Sequence, residues 1–577
     1  MGVLKNFVDS FKRAEEPETA TAPRYDTSEA KAADAGEKES VKEVDSPEYL
    51  ATEQVGHVST PGADTGLKRK LSGRHMQMIA FGGSIGTGLF IGSGGSLSSG
   101  GPGFLLIDFI LIGLMLFCVV MALGELASAL PVSGSFASYS TRFLDPAWGF
   151  AMGYNYWMQW FIILPLELTA ASIVLEYWPN GVPKGVFVMI FLLAIIVINL
   201  FGVKGYGEFE FVASMIKIIA VIGFIILAIV IDVGGAPDGT YRGAHTWHEP
   251  GAFVNGFKGF ASIFVTAAFA FAGTELIGLA AAETSNPRKQ VPKAAKQIFW
   301  RVMIFYVVSL FLVGLIVPYD EERLTSGSSS YDARASPFVI AIDYGRIKVL
   351  PSIMNAVILV SVLSVGNSAV YAASRTLCGL AQAGQAPKIF AYIDRQGRPL
   401  PAVVLSLLMG FLAFLIYASS ATTIFNWLLA LSGLSTIFTW GSLCFCHIRF
   451  RQAWKQSGHT VEELPWAAPL GVYGSWFGGL FCILVVIFQF YIAAFPIGEA
   501  DMSASDRVNN FFLQFLAAPI VVLFYVAYKV IKRPSYVRVA DMDISTGRKE
   551  VPLQVLRQER EEEKAKPLYV RLFNICF

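Results

Sequence analysis

Between about residues 67 and 532 the 577-residue chain alternates long apolar runs with short polar connections, and a polar segment stands at each end. Twelve apolar runs recur, at roughly 76–97, 103–130, 147–176, 185–203, 209–232, 258–281, 298–318, 350–374, 401–419, 422–446, 474–496 and 509–531. A hydrocarbon core about 30 Å thick is crossed by about 20 apolar residues in a helix. The pattern predicts an all-α integral membrane domain of twelve spans over 67–532. The tail at 1–66, rich in Ala, Glu, Thr, Lys and Ser, is expected to be disordered. A second tail runs over 533–577. Residues 1–25 lack a continuous apolar stretch, so no cleavable signal peptide is predicted and the first span directs insertion.

Charge sets the orientation. Hydrophobic residues make up 54% of the chain and charged ones 15%, too few charges for a soluble surface of this size. Arg288, Lys289, Lys293 and Lys296 follow the sixth run, Arg375, Lys388, Arg395 and Arg398 the eighth, and Arg449, Arg451 and Lys455 the tenth. The opposite loops lean acidic, with Asp320, Glu321 and Glu322 after the seventh run and Glu499, Asp501 and Asp506 after the eleventh. Basic loops stay cytoplasmic, so both termini are expected there. The net charge of +1 implies no nucleic-acid partner. Six scattered cysteines, without paired CxxC spacing, suggest neither a metal site nor a disulfide framework. No phosphate-binding loop, HExxH or GxSxG motif is present, so neither a cofactor nor an enzyme is indicated.

The first span, IAFGGSIGTGLFIGSGG, holds seven glycines within fourteen residues, from Gly82 to Gly95. Each interior glycine costs a helix about 1 kcal/mol relative to alanine. One reading is close helix packing through small residues, as in Gly88-x-x-x-Gly92. The other is an unwound segment at Ile85–Gly88, tolerated at membrane depth only where backbone is buried in protein or lines a cavity. Its freed N–H groups would hold an anion at a helix N-terminus and its freed C=O groups a cation, so a zwitterion is the natural ligand. The sixth span, IFVTAAFAFAGTELIGLAAAE, repeats the theme at Phe269, Phe271, Gly273 and Glu275. Corresponding broken helices in two halves point to a transporter's binding site. A mid-membrane carboxylate such as Glu275 is costly and commonly functional; a hydrogen bond to a neighbouring helix is its other reading, as lipid exposure is for Phe269 and Phe271.

Further polar positions lie inside the runs. Lys217, about two turns inside the cytoplasmic end of the fifth run, either snorkels to the interface or faces the bundle as a protonation switch. Glu125, near the end of the second run, reads as an anchor. Glu167, after Pro165 in the third, could touch a cavity, as could Ser361, Ser364, Asn367 and Ser368 in the eighth and Ser432, Ser435 and Thr436 in the tenth; interhelical hydrogen bonding explains the serines, Thr436 and Asn367 equally well.

Four segments in order, GGSIGTGLFIGSG (82–94), ALGELASALPVSGSF (122–136), AFAGTELIGLAAAETSNPRKQVPKA (270–294) and ASRTLCGLAQAGQAPKIF (373–390), carry a resemblance. From about Leu67 to its C-terminus the chain resembles the fungal amino-acid permeases, the yeast amino-acid transporter family of the amino acid–polyamine–organocation superfamily. Segments 154–173, 430–454 and 541–550 look most like the general amino-acid permeases. The resemblance implies a LeuT-like five-plus-five inverted repeat with two extra C-terminal helices, and import of amino acids across the plasma membrane by proton symport with broad specificity. It implies a substrate site at Ser84, Ile85, Gly86, Thr87, Gly88, Phe269, Ala270, Phe271, Gly273 and Thr274. The carboxylate would meet amides near Gly86–Gly88, and the amino group carbonyls near Ser84–Ile85 and Phe269–Phe271. Phe269 falls at the aromatic-gate position, and Lys217 and Glu275 at proton-coupling positions; Glu167, Asn367 and Ser432 stay the possible cavity-lining residues read from the runs themselves. Cys576 resembles a palmitoylated C-terminal cysteine, with Asn574-Ile575 where relatives carry an aromatic pair. Amino acids, protons, membrane lipids and, at tail lysines Lys5, Lys12, Lys31, Lys38 and Lys42, ubiquitin-ligase adaptors are the implied partners. An amino-acid sensor with a permease fold, or a transporter of another organic amine, are the alternatives.

Overall fold

A computed structural model describes residues 9–13, 67–69, 71–132, 134–325, 336–417, 421–548 and 551–570. Among them the backbone is helical, apart from connections and isolated bridges such as Leu71 with Thr284. Each of the twelve apolar runs falls on helix. Among the described residues seven stretches are long and apolar enough to cross a bilayer: Gly73–Ala129, Pro146–Tyr177, Gly202–Asp232, Gly256–Glu283, Leu350–Gln382, Leu400–Tyr417 and Gly471–Ala494. The pair Ala504–Phe515 and Ala517–Lys532, bent by 63°, makes an eighth, and Lys184–Leu200 and Met303–Ile316 are shorter apolar helices.

The elements around the site are α1 (Gly73–Ser84), α2 (Ser93–Ala129), α3 (Pro146–Val174), α4 (Lys184–Leu200), α5 (Gly202–Asp232), α6 (Gly256–Phe271), α7 (Leu276–Ala280), α8 (Pro287–Ile316), α9 (Leu350–Gln382), α10 (Ala421–Gln456) and α11 (Leu553–Ala565). Local chemistry sets their ends. Asp145 caps α3 by accepting from the Ala147 N–H at 2.7 Å, with Pro146 in the first turn, where its missing N–H costs nothing. Within α2 the chain turns at Gly101, whose φ of 80° suits only glycine, and Pro102 follows. That kink separates the first apolar run from the second.

α1 packs on α5, α9 on α3, and α2 on both α6 and α8. Their shared interior holds the large buried side chains Trp160, Trp440, Tyr156, Tyr306 and Phe109. The peripheral helices show the reverse pattern. Ile190, Leu193 and Val197 on α4 and Leu480, Ile483 and Ile487 on Gly471–Ala494 are exposed. Apolar faces of that extent are solvated by lipid.

Two expectations change here. α5 starts at Gly202 rather than near residue 209, so Lys217 sits about four turns inside it. Lys217 is fully buried and does not snorkel. Within the tail expected to be disordered, Asp9–Arg13 packs against the chain: Tyr392 donates to the Phe11 carbonyl at 2.8 Å, and Arg398 lies over the Phe11 ring. The rest of 1–66, with Lys5, Lys31, Lys38 and Lys42, and Cys576 lie outside the described residues; Lys12 pairs with Asp9 at 2.6 Å. The C-terminal segment also docks, burying Met542, Ile544 and Leu556.

Candidate functional site

The glycine-rich segment does break α1. Ile85 is extended (φ −81°, ψ 100°), helical geometry resumes at Thr87, and a π-helical turn over Gly88–Gly92 leads into α2. The restarted helix leaves the N–H groups of its first turn without partners inside the helix. The break is confined to Ile85–Gly86, shorter than the expected Ile85–Gly88. α6 stops at Phe271, and the chain resumes as α7 at Leu276.

The two breaks lie against each other, and glycines make that approach possible. A Cβ on Gly88 would stand 2.5 Å from the Ala270 Cα. Gly273 has a φ of +100°, and a Cβ there would stand 2.5 Å from the Gly83 carbonyl carbon. The small-residue reading and the unwound reading of the first span therefore both hold, at neighbouring residues. Tyr306 of α8 joins the breaks from behind. Its hydroxyl lies 2.7 Å from the carbonyl oxygens of both Ser84 and Ala270, and its ring stacks on Phe271.

A cavity of ≈ 10 Å³, room for about one water molecule, opens where the breaks meet α3 and α9. Gly83, Ser84, Gly86, Thr87 and Gly88 line it from the first break, Phe269 and Ala272 from the second, Trp160, Ile163 and Glu167 from α3, and Val365 from α9. Thr87 donates its hydroxyl to Glu167 Oε1 at 2.8 Å. Glu167 Oε2 and Trp160 Nε1 are buried with no hydrogen-bond partner among the described residues. The cavity wall thus carries a carboxylate, an indole and a helix N-terminus.

Other expected residues lie elsewhere. Ile85, Ala270, Phe271, Gly273 and Thr274 are buried but do not line the cavity; Thr274 donates to the Phe271 carbonyl at 3.1 Å. Phe271 is fully buried, so it does not face lipid. Glu275 caps the second break. Its carboxylate accepts from the Gly273 N–H at 3.0 Å, Tyr156 at 3.2 Å and Trp440 at 3.4 Å. Lys217 donates to the Gly82 carbonyl at 2.6 Å and to Ser364 at 2.9 Å. Asn367 turns from the cavity to bond Glu210 at 3.0 Å, and Ser432 is buried on α10 outside the lining. Glu125 accepts from Arg451 at two nitrogens and from the Ala468 N–H at 2.7 Å, the anchor its position suggests.

Sequence reasoning passed over Glu210, Tyr306, Trp160 and Val365. Glu210 had a signal: it stands seven residues before Lys217, on the same helical face. The aromatics and Val365 had none, because apolar runs are full of such residues.

Interrupted helices facing a cavity inside a polytopic helical bundle define a membrane transport protein. The chain belongs to the amino acid permease family, whose pattern it matches over residues 75–539. General amino-acid permease GAP2 of Candida albicans is 51% identical over 575 residues, 98% of this chain and 92% of that protein. General amino-acid permease GAP1 of Saccharomyces cerevisiae is 50% identical over 545 residues, 92% of this chain and 89% of its own. Cationic amino acid transporter 1 of Schizosaccharomyces pombe is 51% identical over 494 residues, 84% and 82% respectively. The protein is a membrane amino-acid transporter and not an enzyme.

Proposed function

We propose that this transporter imports a broad range of amino acids across the fungal plasma membrane by proton symport. The observation that carries the reading is the restart of helix at Thr87 on the cavity wall, opposite the Glu167 carboxylate. A helix N-terminus attracts the substrate carboxylate. Carbonyls of the two breaks attract the amino group. Those contacts read the part that all amino acids share, which suits broad specificity, and the two relatives named general permeases agree with it. The cavity has to widen before an amino acid enters, and Phe269 closes over the ligand as it rocks inward.

In this reading all twelve apolar helices cross, with two five-helix repeats each opened by a broken helix and two further helices after them. Both termini are cytoplasmic. Two observations support that side. Basic residues crowd one set of loops, and both tail segments pack on those loops, Asp9–Arg13 at Arg398 and α11 at Arg288.

Reconstituted protein tests the coupling. An inward acid gradient should drive accumulation of labelled amino acids, and a protonophore should abolish it. Accumulation that survives the protonophore would sink the symport claim.

A further inference from the structure

Lys217 does not stand alone at mid-membrane. Two turns before it on α5, Glu210 is fully buried. Ser364 donates to Glu210 Oε2 at 2.6 Å, and Asn367 donates to Oε1 at 3.0 Å. The direction of these bonds follows from their neighbours. Asn199 places an amide atom 2.9 Å from the Ile195 carbonyl oxygen, which only accepts, so that atom is nitrogen. The same nitrogen lies 2.9 Å from Asn367, whose facing atom is therefore its oxygen. The Asn367 nitrogen is left for Glu210. The Ser364 hydroxyl accepts from the Lys217 ammonium and has its one proton left for Glu210. Both donors point at the carboxyl, the arrangement that suits an ionised carboxylate. The chain from Lys217 through Ser364 to Glu210 has the polarity of an ammonium and carboxylate pair.

This pair is built into the wall of the first break. A Cβ on Gly82 would stand 2.5 Å from Glu210 Oε2, so the carboxylate rests on span-one backbone. Lys217 holds the Gly82 carbonyl from the same side. The next two residues, Gly83 and Ser84, line the cavity. A change of charge at Glu210 therefore acts one residue from the ligand. Glu275, held by Gly273, Tyr156 and Trp440 at the second break, has no ion-pair partner among the described residues. The other titratable groups facing the pair are Glu167 from α3 and Tyr206 from α5.

We propose that Glu210 takes the coupled proton, with Lys217 as its fixed cation; the assignment rests on the symport reading. Loading adds one proton to the Glu210 carboxylate, making a carboxylic acid and taking the pair from neutral to one positive charge. The acid now donates one bond where the carboxylate accepted, so Ser364 turns and the hold on Gly82 changes. Unloading returns the proton to cytoplasmic water and restores the carboxylate.

The test uses full-length protein in liposomes and a radiolabelled mixture of the common amino acids. Wild-type accumulation that ignores an inward acid gradient overturns the symport reading itself, and this assignment with it. Given a responsive wild type, Glu210→Gln should keep counterflow exchange yet lose gradient-driven accumulation, leaving equal concentrations inside and out. Glu210→Asp should recover part of that accumulation. Gradient-driven accumulation by Glu210→Gln at the wild-type level overturns the assignment while symport stands. Should Glu210→Gln not fold, Asn367→Ala decides, since it removes one bond to the carboxylate and leaves the carboxylate in place. Its pH midpoint for net uptake should move by about one unit, and an unmoved midpoint overturns the proposal.

Discussion

The Tyr306 hydroxyl lies 2.7 Å from the Ser84 carbonyl oxygen, and the same hydroxyl reaches the Ala270 carbonyl at the same distance. One side chain thereby bridges a carbonyl at each helix break. A hydroxyl has one proton to share between the two acceptors, so a substrate amino group would find both incompletely satisfied. Replacing Tyr306 by Phe keeps the ring stacked on Phe271 and strands two buried carbonyls. A buried acceptor left unpaired costs about 1–3 kcal/mol. Tyr306→Phe should lower the melting temperature of the purified protein, and saturating amino acid should raise it by more than in the wild type. Equal melting temperatures with equal ligand shifts would remove Tyr306 from this role.

Two glycines of one cluster should behave oppositely. Gly88 faces the Ala270 backbone, which has no flexible end to swing away, whereas a Cβ on Gly95 meets nothing within 4 Å. Overpacking a fixed contact costs about 1–3 kcal/mol. Gly88→Ala should abolish uptake of labelled amino acids, and Gly95→Ala should transport at the wild-type rate, each normalised to the amount at the cell surface. Normal uptake by Gly88→Ala would show that the two breaks need not approach so closely.

Much of this site was legible in the chain, because glycines that weaken a helix are visible by count and a carboxylate in an apolar run stands out. What stayed hidden depended on distance in space. Glu210 is spaced on one helical face with Lys217, a visible signal, but it lies at the edge of its apolar run, and the start of α5 at Gly202 is what carries it inside. Tyr306 looks like any aromatic in an apolar helix until two carbonyls from α1 and α6 converge on it. Asn367 left cavity lining and interhelical hydrogen bonding equally open, and its amide serves Glu210 and Asn199 on neighbouring helices. Both tails carry charge that reads as solvated, and docking of Arg557 and Glu559 onto distant loops leaves no local trace.

Glu167 carries the selectivity prediction. Thr87 occupies one of its carboxylate oxygens, and the other has no hydrogen-bond partner among the described residues. A charged partner in a poorly solvated site is worth about 1.5–3 kcal/mol, roughly ten- to a hundredfold in affinity. Glu167→Gln keeps an acceptor for Thr87 and removes the charge. Competition for uptake should show cationic amino acids weakened by that factor relative to neutral ones. A uniform loss across the panel would place Glu167 on the amino group that all substrates share.

The clasp made by α11 should be insensitive to mild acid. Arg557 pairs with Glu462 at 2.9 Å, Arg560 donates to the Leu464 carbonyl at 2.9 Å, and Glu559 meets Arg288 at 2.7 Å and Lys289 at 2.8 Å. The loop on which α11 rests is capped by Glu463. The Thr460 backbone N–H, then His459 and the Thr460 hydroxyl, hold that carboxyl down at about 2, against an ordinary value of 4.5. A carboxylate with a depressed value stabilises the fold fully above its unfolded value, and the contribution is lost as pH falls toward about 2. Protease accessibility of the C-terminal segment in inside-out vesicles should therefore be the same at pH 7.5 and at about pH 5.5. Glu559→Lys turns two attractions into repulsions, and a loss of 1–2 kcal/mol would raise cleavage about five- to thirtyfold at either pH. A wild-type segment freed between those two pH values would mean that a group other than Glu463 governs the clasp.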